Sequence, residues 1–134
     1  MSLSKTQTRI SFIAQGIVAV ILGQTLFFKL SGAEEAVAIF SKLGVEPYGR
    51  IGLGVLELFN VVLILLPRSA AFGGTMTVGL MLGAVGSHLG PLGINVNGDG
   101  GQLFAMAVVA LLAGATVAWL RREQLPVVGA WFRG

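Results

Sequence analysis

The sequence contains no cysteine, one histidine and one tyrosine, and only 11% of its 134 residues are charged. Without cysteine there is no disulfide, no thiolate metal site and no dithiol redox chemistry in the chain. One histidine without cysteine also excludes a bis-histidine haem, a three-ligand zinc site and an iron–sulfur cluster built by this chain. Soluble domains are about 25% charged. A chain of this length has more surface than so few charges can cover in water, so an ordinary soluble domain is excluded. Disorder, which needs low hydrophobicity and high charge, is excluded too. The net charge of +3 is too small and too scattered for a groove that tracks phosphates, and no nucleic-acid partner is expected.

Apolar residues make up 54% of the chain, and the charges cut them into blocks. Ile10 to Phe28 carries no charge, Ile51 to Leu66 only Glu57, Ser69 to Ser87 none, and Gly100 to Leu120 none. A helix crosses the hydrocarbon core in about 17–25 apolar residues. The reading is an all-α integral membrane bundle of four transmembrane helices, with spans at about 10–29, 47–66, 69–89 and 102–121. The first block imitates a secretory leader. It lacks a small-residue cleavage site before Lys29, and it is expected to stay.

Lysine and arginine in short loops set orientation. Lys5, Arg9, Arg68, Arg121, Arg122 and Arg133 fall on one side, and Lys29, Lys42 and Arg50 on the other. Both termini are therefore expected in the cytoplasm, with the loops 30–46 and 89–102 outside. In the first loop, Ala33, Ala36, Val37, Phe40 and Leu43 repeat at helical spacing. Ser31 and Glu34 have the spacing of a capping box, and Gly44 stands at a helix end. A short amphipathic helix at about 33–43 follows, lying on the membrane face. The third loop places Asn95, Asn97, Asp99 and Gly100 like the start of a calcium loop, but Met106 takes the place of the closing glutamate. It reads as a flexible turn. Trp131, Phe132 and Arg133 read as an interfacial anchor. Gly79-x-x-x-Gly83, Gly86-x-x-x-Gly90 and Ala110-x-x-x-Gly114-x-x-x-Ala118 are close-packing patterns, read first as packing inside the bundle, with a homo-oligomer as the alternative.

Five polar residues stand inside apolar blocks or at their ends: Gln15, Gln24, Glu57, Asn60 and His88, with Lys29 at the edge of the first. An intramembrane carboxylate costs a few kcal/mol and is a functional candidate by default. At 1.5 Å per residue, Glu57 lies about 9 Å and Gln24 about 6 Å inside the same membrane face, where Lys29 and His88 also lie. Glu57, His88, Lys29, Gln24 and Asn60 form one candidate ligand pocket under the amphipathic helix. Lys29 is long enough to reach Glu57, and Gln24 and Asn60 offer amide hydrogen bonds. His88 is a proton-carrying second contact. Gln15, in the other half, reads as interhelical glue. Ser87 points away from His88 on a helix, which argues against a serine hydrolase. No paired half-helices suggest an inverted-repeat transporter. No metal is expected, and a quinone or a lipid is the conceivable ligand.

Phe28-Lys29-Leu30-Ser31-Gly32, then Phe40-x-x-Leu43-Gly44-Val45-x-Pro47, Gly52-x-Gly54-x-x-Glu57, Leu65-Leu66-Pro67-Arg68 and Met81-x-x-Ala84-x-x-x-His88-Leu89 follow one another in order. This set resembles the DoxX and DoxX-like membrane proteins. The resemblance implies a four-helix integral membrane fold, with Lys29, Gly44, Pro47, Glu57 and His88 at motif positions. It also implies association with bacterial membrane redox systems, such as thiosulfate:quinone oxidoreduction, whereas distant animal relatives act as receptor-assembly chaperones. Two expectations result. One is a small subunit or accessory of a quinone-linked oxidoreductase system, in which any electron transfer needs a bound cofactor or a redox partner subunit. The other is a non-catalytic scaffold, assembly factor or lipid-binding protein in which the same residues only hold the bundle together.

Overall fold

The computed structural model describes residues 3–126. Five α-helices follow one another: α1 (Lys5–Ser31), α2 (Glu34–Lys42), α3 (Tyr48–Leu65), α4 (Ala70–Leu89) and α5 (Gln102–Leu120). A 3-10 turn (Arg122–Gln124) follows α5. α1, α3, α4 and α5 are long and apolar enough to cross a membrane. The shortest of them, α3 with 18 residues, is about 27 Å long, close to the thickness of a hydrocarbon core. The chain is a multi-pass membrane protein built as a four-helix bundle. The expected anchor residues Trp131, Phe132 and Arg133 lie outside the described residues.

The ends of α1 explain its length. Ser4 accepts from the Gln7 amide while the Gln7 side chain accepts from the Ser4 amide, a capping box that starts the helix five residues before the apolar block. At the other end Gly32 takes the left-handed conformation at φ 71°, and the Ala33 amide reaches back to the Phe28 carbonyl at 3.1 Å. This corrects the box expected at Ser31 and Glu34. Ser31 is spent as the last residue of α1, its hydroxyl 3.4 Å from the Phe28 carbonyl, and α2 starts after Ala33 with no side-chain cap. α2 buries Ala36 and Phe40 and touches α1 and α3. Gly44 follows α2 at φ 78°, as its place in the sequence suggests.

α1 lies beside α3 and α5, and α4 lies beside the same two helices from the opposite corner. The tight crossings are near the α3–α4 turn. A Cβ on Gly73 would fall 2.6 Å from the Ile64 nitrogen, and one on Gly74 2.7 Å from the Gly114 carbonyl. A Cβ on Gly114 would fall 2.6 Å from Thr77 Cγ2. The close packing expected of Gly79, Gly83 and Gly86 is not made, since a Cβ at any of them meets nothing within 4 Å. Those three face outward from α4 at the end where α4 has parted from α3.

The core mixes polar with apolar residues: Ser11, Gln15, Glu57, Asn60 and Thr77 are buried beside Val18, Leu22 and Ile64, while Ile13, Val20, Phe27, Phe59 and Leu112 are exposed. Near the α3–α4 turn, Pro67 ends α3 and leaves its last carbonyls without helical donors. Gln15 donates to the Ile64 carbonyl at 2.7 Å, and Ser69 to the Leu63 carbonyl at 2.8 Å. Gln124 donates to the Pro67 carbonyl at 2.7 Å, and Arg121 to the same carbonyl at 3.3 Å. Arg121 also donates to Ser11 at 2.7 Å, and Ser11 to Gln15 at 2.8 Å, so α1, α3, α4 and the segment after α5 are joined at one end. Gln15 is interhelical glue in this sense.

The contrast among the glycines is testable by unfolding in detergent. Gly114→Leu forces the α4–α5 crossing apart and is expected to cost about 1–3 kcal/mol. Gly79→Ala meets no neighbour and is expected to be neutral, or stabilising by up to about 1 kcal/mol through helix propensity. Equal losses at both positions would contradict the packing described.

Candidate functional site

At the end of the bundle away from the α3–α4 turn, the four long helices surround a cavity of about 650 Å³. α2 and the loop between α4 and α5 border its mouth. Most of the wall is apolar, from Leu22 and Phe28 on α1 to Met81 on α4 and Met106 on α5. Volume and composition are those of a small-molecule site.

The polar part of the wall is held by α1 and α3. Glu57, only 2% exposed, accepts from Lys29 Nζ at 2.8 Å through Oε1. Its Oε2 lies 2.9 Å from the Thr25 hydroxyl, which is also 3.1 Å from the Leu22 carbonyl. Thr25 and Lys29 are four residues apart and stand on one face of α1, so that face grips both carboxylate oxygens. Glu57 is thus half of an ion pair and not a free carboxylate. The Lys29 ammonium has three N–H donors, of which Glu57 takes one. Gln24 lines the cavity one residue from Thr25.

His88, buried at the end of α4, also lines the cavity. Its Nδ1 lies 3.0 Å from the Gly93 carbonyl, and its ring stands edge-on to Phe104 at 5.8 Å between centroids. A carbonyl only accepts, so Nδ1 carries a proton, and in the neutral ring Nε2 is then the hydrogen-bond acceptor. Asn60 is placed elsewhere. It lies three residues beyond Glu57, donates to Thr77 at 2.8 Å and does not line the cavity. Its Oδ1 is buried and has no hydrogen-bond partner among the described residues.

Besides Thr25, two features escape a reading of the sequence. Arg50 is buried and holds the Glu46 carboxylate at 2.8 and 3.0 Å through Nε, while its other arm donates to the Lys29 carbonyl. It therefore caps the end of α1 directly behind the lysine. The only signal was an arginine at the start of an apolar span. The second feature is the 90–101 loop, which is folded and not the flexible turn expected. Asp99 Oδ1 accepts from the amides of Val96 at 3.0 Å and Gly101 at 2.8 Å, and Oδ2 from Leu103 at 3.0 Å. Asn95 accepts from Gly100 at 2.8 Å. The Asp99 carboxylate thus serves the free N–H groups at the start of α5, and the loop turns Leu92, Val96 and Asn97 onto the cavity.

The Leu103 amide first, then those of Gly101 and Val96, hold the Asp99 carboxyl below the usual aspartate range. A lowered folded value means that the charged group stabilises the loop above the ordinary aspartate range. That contribution fades as pH falls through the lowered value. Amide exchange at Val96, Gly101 and Leu103 is expected to lose protection, relative to the α5 interior, on acidification from about pH 5 to below pH 3. In Asp99→Asn that acid-dependent loss should vanish; a loss undiminished in the variant would remove Asp99 from this role.

A family model described as the DoxX-like family matches residues 13–93. The matched stretch runs from α1 into the loop after α4 and includes Gln24, Lys29, Glu57 and His88. No curated protein matches the chain, and no solved structure does. The matched stretch is more than half of the sequence, and the chain belongs to the DoxX-like family.

Proposed function

We propose that the cavity binds a small membrane-soluble molecule with a hydrogen-bonding head, a quinone being the class that its lining suits, and that the protein is a small subunit or accessory of a membrane redox system. The observation that carries this reading is the Lys29–Glu57 ion pair in the wall of a cavity that is otherwise largely apolar. An ion pair so placed keeps a cationic donor in hydrocarbon, where one charge alone is costly. A quinone head has oxygens at opposite ends of a flat ring. The remaining Lys29 N–H groups and the Gln24 amide suit one oxygen, and His88 Nε2 suits the hydroxyl of the reduced form.

In this reading Glu57 and Thr25 position Lys29, Arg50 fixes the backbone behind it, and Gly93 sets the tautomer of His88. A bound quinone supplies the two-electron chemistry; the chain binds it, orients it and keeps water away. The electrons come from a partner subunit, since the sequence offers one histidine and no cysteine to hold a centre of its own. The lysine and arginine bias supports cytoplasmic termini, with the cavity mouth on the far side, and the family's bacterial redox members support a bacterial inner membrane. A reporter fused after Gly134 is expected to read cytoplasmic; a periplasmic readout would invert the assignment.

A second reading rests on the same pair. Lys29–Glu57 ties α1 to α3 whether or not a ligand is present, as a scaffold or assembly factor would need. Purification in mild detergent, followed by mass spectrometry of extracted small molecules, separates the two. Co-purified quinone is expected with the wild type, and Glu57→Gln is expected to keep the fold and lose the ligand. If nothing co-purifies and Glu57→Leu lowers thermal stability, the scaffold reading stands and the binding reading falls.

A further inference from the structure

The α3–α4 hairpin is closed at one end only. Beside its turn, Gly73 lies against the Ile64 backbone, and Asn60 bonds to Thr77 at 2.8 Å. Nearer the cavity, α3 belongs to α1 instead. A Cβ on Gly54 would fall 2.8 Å from Leu30 Cδ2 and 3.3 Å from Lys29 Cβ. α4 does not follow. Gly79 and Gly83 are exposed, a Cβ on either meets nothing within 4 Å, and yet both line the cavity.

Helical geometry says where that opening points. At about 100° per residue, Gly73, Leu80 and Ala84 share the α4 stripe that faces α3. Gly83, and beyond it Gly79, lie further round on the side away from α5. Leu53 lines the cavity from α3. The cavity therefore runs from the ion pair outward between α3 and α4 to the lipid-facing surface. Its other opening, between α2 and the loop, carries Glu35 and Asp99 and faces water.

We propose that the gap between α3 and α4 at Gly79 and Gly83 is a lateral opening through which the cavity takes its ligand from the membrane, and that the ligand's apolar tail lies there across the glycine flank. The proposal rests on the binding reading above and narrows it to a tailed amphiphile. Glycine inside a helix is unfavourable relative to alanine. Two glycines one turn apart on an exposed flank, with no helix against them, leave a groove where any other side chain would stand. In lipid such a groove is filled by a chain, because close van der Waals packing is the main attraction on offer. The acidic water-facing mouth disfavours soluble anions.

The test uses the full-length protein in nanodiscs, with a decyl-substituted benzoquinone and the same ring without its tail as probes. A Cβ at Gly79 or Gly83 meets nothing within 4 Å and leucine is a good helix former, so Gly83→Leu and Gly79→Leu are expected to keep the fold while filling the gap. Each variant is expected to weaken binding of the tailed probe by about tenfold or more, and to leave the tail-less ring within about twofold. Unchanged tailed-probe affinity in both variants, with wild-type binding intact, overturns the lateral opening and leaves the binding reading standing. Equal wild-type affinity for the two probes also overturns the tail's placement. A wild type that binds neither probe, nor retains phosphatidylglycerol by native mass spectrometry, overturns the binding reading and the opening with it. Phosphatidylglycerol retained by the wild type and lost in Gly83→Leu supports the opening and replaces the quinone by a lipid.

Discussion

Hydrocarbon supplies no hydrogen bonds, and this protein is arranged around that fact. Every donor and acceptor placed between the two membrane faces must find a partner inside the chain or carry a cost of several kcal/mol. The helices satisfy their own backbones except at their ends, and the side-chain hydrogen bonds gather there. Pro67 frees the last carbonyls of α3, and Gln15, Ser69, Gln124 and Arg121 serve them. Gly32 ends α1, and Arg50 serves the Lys29 carbonyl. The amides at the start of α5 fall to Asp99. Chain reversals are therefore the most polar places in the fold, and the apolar faces between them are left for lipid.

Asn60, bonded to Thr77, and Glu57 are the exceptions; the charged one is Glu57, and no chain end requires it. Its carboxylate sits in mid-helix, and Lys29 and Thr25 from α1 satisfy it. A buried pair of this kind is weak evidence for stability. Apolar replacement of both members is often neutral or stabilising, whereas loss of one member costs about 3–5 kcal/mol. Packing alone gives no reason to keep a pair that hydrocarbon residues could replace. The cavity beside it supplies the reason that favours function.

Much of this was legible in the sequence. The spans follow from where charges are missing, a property of composition that survives any error in local detail. The Lys29–Glu57 pairing was expected because Lys29 stands at the edge of the first span and is long enough to reach the mid-span acid. Thr25 was not legible, since threonine on a membrane helix usually bonds its own backbone, as Thr75 and Thr116 do here. Asn60 looked like a pocket residue because it stands near Glu57 on the same helix. Its side chain, however, meets α4, where Thr77 intercepts it. The loop of Asn95 and Asp99 looked flexible because turn-forming residues also make folded turns when their side chains find backbone amides.

The glycines show most clearly what a pattern cannot decide. Gly73, Gly74 and Gly114 permit close crossings, and no four-residue repeat singled out the first two. Gly79 and Gly83 have the repeat and touch nothing. Both uses need the missing side chain, one for a neighbouring backbone and one for open space, so the letters are the same. The direction of the neighbouring helix decides between them. Because α3 leans on α1 at the cavity end and on α4 at the turn, one helix carries both kinds of glycine on adjacent stretches. The same lean that closes the bundle at the turn therefore opens it beside Lys29 and Glu57.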